Sequence, residues 1–221
     1  MYLAKMRENS VAQPQGQGIE RFIFVLDGVV TVEPSSFRQE GGGGGGGEGD
    51  ARQLHAGDFA YLPPTTTTST DSFFIKSSKG AGLLVYERYY AITRTTNESG
   101  DKQSLPRFQH GSTDDQPLIA ADGEVFRLRK LLPQTEEYDF NIHVMDFLPG
   151  EYLNVKEVHY NQHGMLLLGG KGIYRLGESW MPVSAGDAIW MAPYVPQWFA
   201  ALGTEESRYI IYKDTTIDPL N

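Results

Sequence analysis

Two of the chain's five histidines fall in one short run, Glu157-Val158-His159-Tyr160-Asn161-Gln162-His163. Counted from Glu157, the carboxylate and the two imidazoles sit at offsets 0, 2 and 6. Even offsets share one face of a β-strand, so the spacing predicts that the three side chains converge. A helix would instead pair His159 with His163, but Gly164 follows at once, Val158 and Tyr160 favour strand, and no HExxH pattern is present. Two neutral imidazoles and a carboxylate are a standard donor set for a divalent ion. A Glu-x-His pair by itself is usually surface. Three donors of one parity, ahead of an apolar run that turns at Gly169-Gly170, favour a metal site. The chain has no cysteine, which excludes disulfides, zinc-thiolate sites, iron–sulfur clusters and a thiol nucleophile.

The elements that must carry these residues are short. Twenty-five glycines and twelve prolines punctuate the 221 residues, and the segments between them alternate or are rich in Val, Ile, Phe, Tyr and Trp. Residues 19–32 read as two short strands around an Asp27-Gly28 turn, and 58–62, 82–89, 140–147, 165–168, 172–176, 188–191 and 207–213 read as further strands. No segment of helical length carries apolar residues at spacings of three and four, so the expected class is all-β, a sandwich or barrel. Nineteen basic against twenty-eight acidic residues give a net charge of −9, which argues against nucleic acid and anionic membrane as partners. No run reaches the ~18–20 apolar residues of a membrane helix, and residues 1–7 lack the apolar stretch of a secretory leader.

The chain echoes itself. Asp27-Gly28-Val29-Val30 is matched by Gly170-Lys171-Gly172-Ile173, and Ala56-Gly57-Asp58 before a strand and Pro63 is matched by Ala185-Gly186-Asp187 before a strand and Pro193. An internal duplication is the natural reading. The polar stretch 94–116 is the expected divide. The glycine run 41–47 lacks the Lys-Ser/Thr step and the following helix of a phosphate loop, and reads as an insertion in a hairpin loop. The patch 65–70, rich in Thr, reads as a loop as well.

With the duplication in view, the frame resembles the cupin family. The first cupin motif is His-x-His, three or four residues, Glu, six residues, Gly; this chain has Glu157-x-His159-x3-His163-x6-Gly170, with carboxylate and imidazole exchanged at the ends. The second motif is Gly-x5-Pro-x-Gly-x2-His. Gly186 fits, Ala192 stands for Pro, Tyr194 for Gly and Gln197 for His. The resemblance thus implies Gln197 as a fourth ligand through its amide oxygen. It implies two cupin (jelly-roll β-barrel) domains: a degenerate one over 1–95, a linker over 96–122 and a metal-binding one over 123–221. In the first, Gln15, Gln17, Arg21 and Thr68 fall at the ligand positions and make no metal set, so that barrel is expected to be structural or oligomer-forming.

A bicupin with this donor set is similar to the (S)-ureidoglycine aminohydrolase family. Residues 154–163 (NVKEVHYNQH), 172–176 (GIYRL), 192–198 (APYVPQW) and Tyr212-Lys213-Asp214 carry the resemblance, which covers most of the chain from about Met1. It implies Mn²⁺ held at Glu157, His159, His163 and Gln197, substrate contacts from Tyr174 and Lys213, and proton movement by Glu157 or Lys213. The implied reaction is hydrolytic deamination of ureidoglycine to ureidoglycolate and ammonia in purine catabolism. A homo-oligomer, an octamer, and location in the endoplasmic reticulum are implied as well. Members of that family carry further strands ahead of the position matching Met1, so a shortened front and an incomplete first barrel are expected. Competing readings are an Mn- or Fe-dependent cupin dioxygenase, which Gln197 at the last ligand position argues against, and a non-enzymatic bicupin, which the retained ligands argue against. His143, His55 and His110 read as satisfied or loop residues, Asp187 as part of a turn, and Trp180, Trp190 and Trp198 as core and interface mass, with Trp198 also a candidate pocket wall.

Overall fold

The computed structural model describes residues 1–35, 51–65, 72–91, 105–120 and 123–216. The glycine run, most of the patch 65–70, and Thr68 with it, fall outside them. Among the described residues there is no α-helix, and no segment forms a helix long and apolar enough to cross a membrane. The chain divides into two compact units, residues 1–115 and 116–221.

The first unit holds β1 (Tyr2–Met6), β2 (Ser10–Ala12), β3 (Ile19–Pro34), β4 (Arg52–His55), β5 (Asp58–Leu62), β6 (Phe73–Ser77), β7 (Ala81–Tyr89) and β8 (Gln109–Ser112). Their sheet runs β1-β7-β3-β5-β8, while the far end of β3 pairs with β4 and β6, and β6 with β2. Alternate residues of β3, β5 and β7 (Ile23, Val25, Ala60, Leu62, Leu83, Val85) point into one core.

The expected break of 19–32 into two strands at Asp27-Gly28 is corrected: β3 is continuous. It pairs with β7 on both sides of a register slip, Val25↔Leu83 followed by Asp27↔Gly82, so the glycine serves a bulge rather than a hairpin turn. Gly28 has φ +76°, and a Cβ there would lie 2.4 Å from the carbonyl oxygen of Gly80.

The second unit holds β9 (Ile119–Ala120), β10 (Arg127–Lys130), β11 (Phe140–Phe147), β12 (His163–Gly169), β13 (Lys171–Leu176), β14 (Ser179–Ser184), β15 (Ala188–Met191), β16 (Gln197–Leu202) and β17 (Ser207–Asp214). Six strands form one sheet, β15-β12-β17-β11-β10-β9, and three form another, β14-β13-β16. Met165, Leu167, Tyr174, Ile189, Phe199 and Tyr209 fill the space they enclose. Within the segment read as a linker, β8 and β9 are strands, one built into each unit.

The duplication is visible in the turns. Gly57 and Gly186 have φ +90° and +96°. Asp58 accepts from the His55 N–H and Asp187 from the Ser184 N–H, each at 2.8 Å. Gly57 N–H donates to Val25 O at 2.9 Å and Gly186 N–H to Leu167 O at 2.8 Å. Asp187 is a turn residue, as expected.

Candidate active site

Strand parity aims five side chains at one place. On β12, Met165 and Leu167 face the core, so His163, two residues earlier, does too; on β17, Tyr209 and Ile211 place Lys213 on the same face. The register joins these two strands at His163↔Lys213, and joins β12 to β15 at His163↔Met191. Tyr174 on β13 and Gln197 on β16 follow the same rule beside Phe199. The inward-facing positions at this end of the second unit therefore carry polar groups, with the apolar core behind them.

Glu157 and His159 arrive differently. The strand expected across 157–163 is corrected: only His163 lies in a regular strand. Glu157 forms an isolated bridge in which its N–H and C=O each bond Gln197 at 2.9 Å. The carbonyl of His159 accepts from the Tyr194 N–H at 2.7 Å, with Tyr194 in the left-handed region at φ 61°. Both residues are pinned by the loop that leads into β16. The convergence read from even spacing is present, although cross-chain bonds rather than a single pleat produce it.

All six residues singled out in the sequence meet. His159 Nε2 is 3.1 Å from Glu157 Oε2, and Gln197 Nε2 donates to that same oxygen at 3.3 Å. The imidazoles of His159 and His163 stack with centroids 4.8 Å apart. The Tyr174 hydroxyl lies 3.0 Å from both Gln197 Oε1 and Met191 Sδ. Lys213 Nζ is 3.3 Å from His159 Nδ1.

Burial sets the charges. The His163 imidazole is pushed down to about 3, first by desolvation and then by its neighbours Lys213 and His159, so it is neutral at pH 7. Its Nδ1 faces the carbonyl oxygen of Asn161 at 3.0 Å, which places the proton on Nδ1 and leaves a lone pair on Nε2. Burial and the Glu157 charge raise the Tyr174 phenol, so it stays protonated. Burial lowers the Lys213 ammonium, against the pull of Glu157.

Among the described residues, no three His, Cys, Asp or Glu side chains stand at ready metal-binding spacing. The donors are turned toward one another instead: Glu157 toward His159 and Gln197, and Gln197 toward Tyr174. Their chemistry still fits a divalent ion. A carboxylate, an imidazole with a free lone pair, a second imidazole and an amide lie together, and the bonds among them are those a cation replaces. The tie from His163 to a backbone carbonyl is the partner a ligating histidine normally has.

Two neighbours escaped the sequence reading. Asn161 is buried; its main-chain carbonyl faces the Nδ1 of the His163 ring, and its side-chain amide donates to the main-chain carbonyl of Asp214. Met191 takes the Tyr174 hydroxyl. The buried alternation of β15 gave Met191 a signal; Asn161 had none beyond its place between the histidines. The expectation of tryptophans as core mass is corrected for two residues. Trp180 and Trp190 are 53% and 60% exposed, because strand parity turns Trp190 outward between Ile189 and Met191, and Trp180 lies on the solvent side under Arg175. Trp198 is half-buried, its N–H bonded to Leu153 O, and packs on Tyr152 and Trp180. In the first unit, Gln15 donates to Pro63 O and Arg21 pairs with Glu87, so those positions serve internal contacts.

The fold is that of a cupin, an all-β barrel, with the polar cluster in its second unit. The crystal structure of protein Ylba from E. coli superposes with a TM-score of 0.74 at 25% identity, over 98% of this chain and 77% of that one. The cupin 2 conserved barrel domain protein from Leptotrichia buccalis does so at 0.64 and 12% identity, over 96% and 81%. Oxalate decarboxylase from Bacillus subtilis, described for its Mn(II) centres, does so at 0.63 and 11% identity, over 97% and 68%. No family model matches the chain. By sequence the chain is similar to proteins named (S)-ureidoglycine aminohydrolase. The protein of that name from Arabidopsis thaliana is 51% identical over 222 residues, and the one from Escherichia coli (strain K12) is 29% identical over 223 residues. All of this chain matches the Arabidopsis protein but spans only 65% of its length; the E. coli match takes in 98% of this chain and 76% of that protein.

Proposed function

We propose that the second unit carries out the hydrolytic deamination of (S)-ureidoglycine to (S)-ureidoglycolate and ammonia, with Mn²⁺ held by Glu157, His159, His163 and Gln197. The observation that supports the reading is the convergence of those four donors with Tyr174 and Lys213 on one end of the barrel. A bound divalent ion supplies a Lewis acid and a template for the carboxylate and amine of the substrate.

The chain's own residues do the rest. The reaction breaks the bond from the α-carbon to its amino nitrogen and forms one to a water oxygen. The leaving nitrogen gains a proton and the water loses one. Lys213 and Glu157 flank the two nitrogens of one imidazole. Lys213 offers N–H donors to the carboxylate of the substrate, and Glu157 offers a carboxylate oxygen within reach of the water proton. Holding both ends of so small a substrate fixes the face on which water enters, and hence the handedness of the product. Tyr174 acts as a donor throughout, because burial keeps its proton in place. Its hydroxyl lies on Gln197 and Met191, so it reaches the ureido group of the substrate only by leaving one of them.

The test is ammonia release from freshly generated ureidoglycine, with and without added Mn²⁺, and the chirality of the ureidoglycolate formed. Mn-dependent release with pure (S) product is expected. No release by protein that holds Mn²⁺ would overturn the reading.

A further inference from the structure

We infer that Asn161 is a positioning residue that ties the tautomer of His163 to the place of Lys213; the inference rests on the reading of the site as a metal-dependent active site. Antiparallel pairing of β12 with β17 extends to His163↔Lys213, and His163 is the first residue of β12. Beyond it the chain must leave the sheet to deliver His159 and Glu157. One main-chain bond continues, from Asp214 N–H to Gln162 O at 3.3 Å. The next is supplied by a side chain: Asn161 Nδ2 donates to the carbonyl oxygen of Asp214. The side chain thus stands in for a backbone donor, which frees the main-chain carbonyl of Asn161 to turn back and accept from His163 Nδ1 at 3.0 Å.

One residue therefore makes two fixed contacts. Its carbonyl sets which nitrogen of His163 keeps a lone pair. Its amide holds the end of β17, where Lys213 stands 3.3 Å from His159. Asn161 is 2% exposed, and among the described residues its Oδ1 has no hydrogen-bond partner. A buried amide with an unmet acceptor is an unfavourable choice for packing alone. The donor of that amide is what an apolar residue of similar size would lack.

Asn161→Asp keeps the shape and removes the donor. The variant is expected to bind Mn²⁺ about tenfold or more weakly, within the range seen when groups behind metal ligands are changed. Its kcat should fall more than its KM changes, because Lys213 loses its station while substrate groups remain. A folded variant with wild-type Mn²⁺ affinity and wild-type kcat would overturn the inference. A second measurement needs no variant: ¹⁵N NMR of the histidine rings in metal-free wild-type protein. The His163 proton on Nδ1 is expected; a proton on Nε2 would overturn the inference even if the variant fails to fold. Wild-type protein that binds no Mn²⁺ would instead count against the proposed function, while a His163 proton on Nε2 would still overturn the inference.

Discussion

Nζ of Lys213 stands 3.3 Å from Nδ1 of His159. An ammonium has only donors, so this contact makes Nδ1 the acceptor and leaves the ring proton on Nε2, facing Glu157 3.1 Å away. A cation at the end of one strand and a carboxylate in an irregular segment are thus connected through one imidazole. Lys213→Met keeps the length of the side chain and removes its donors and charge. Turnover is expected to fall at least about a hundredfold, with Mn²⁺ content unchanged by elemental analysis. Wild-type turnover in that variant would end the role given to Lys213.

Tyr174 fixes Gln197 from behind. Tyr174→Phe leaves the Gln197 acceptor without its donor in a buried place, which should weaken Mn²⁺ binding about tenfold. Stability should fall by about 1–2 kcal/mol in urea titrations. Since the phenol stays protonated, no alkaline limb of the rate profile below about pH 10 should disappear with the hydroxyl.

His143 makes stability depend on acid. Its imidazole on β11 is pushed from 6.5 down to about 4, first by burial, then by Lys130 and Lys213, with His163 also close enough to feel its charge. The neutral ring is favoured in the folded protein and accepts from Gln134 Nε2 at 3.3 Å. A lowered histidine pKa means full stability above about pH 6.5 and progressive loss as pH falls toward 4, up to about 3 kcal/mol. Melting temperatures of wild-type and His143→Gln protein should diverge across that window, the variant losing less.

Gly172 on β13 has no room for a side chain. A Cβ there would lie 2.4 Å from the carbonyl oxygen of Ala200 and 2.4 Å from Cε2 of Phe199. Gly172→Ala should destabilise the second unit by about 1–3 kcal/mol, read as a lower urea midpoint.

The legible part of this molecule was what strand parity carries. Ile189 and Met191, Tyr209 and Ile211, and Phe199 reveal from their alternation which way β15, β17 and β16 face, and the spacing of Glu157, His159 and His163 reveals that they meet. Lys213, Tyr174 and Gln197 became candidates only through resemblance, because each by itself is an ordinary lysine, aromatic or amide. What alternation cannot carry was missed. The bulge at Val25/Asp27 looked like a turn, since Asp-Gly marks both and only the partner strand decides. Glu157 and His159 are placed by bonds from Gln197 and Tyr194, more than thirty residues away, which local spacing cannot contain. The two exposed tryptophans show residue type overruled by the face on which it falls.

The most direct test of the account is a titration of Mn²⁺ into metal-free protein, followed by the electron paramagnetic resonance signal of the free ion. The wild-type chain should take up one ion, and Glu157→Ala/His163→Ala should take up none while keeping its fold by circular dichroism. Equal uptake by both proteins would place the ion elsewhere and contradict the account.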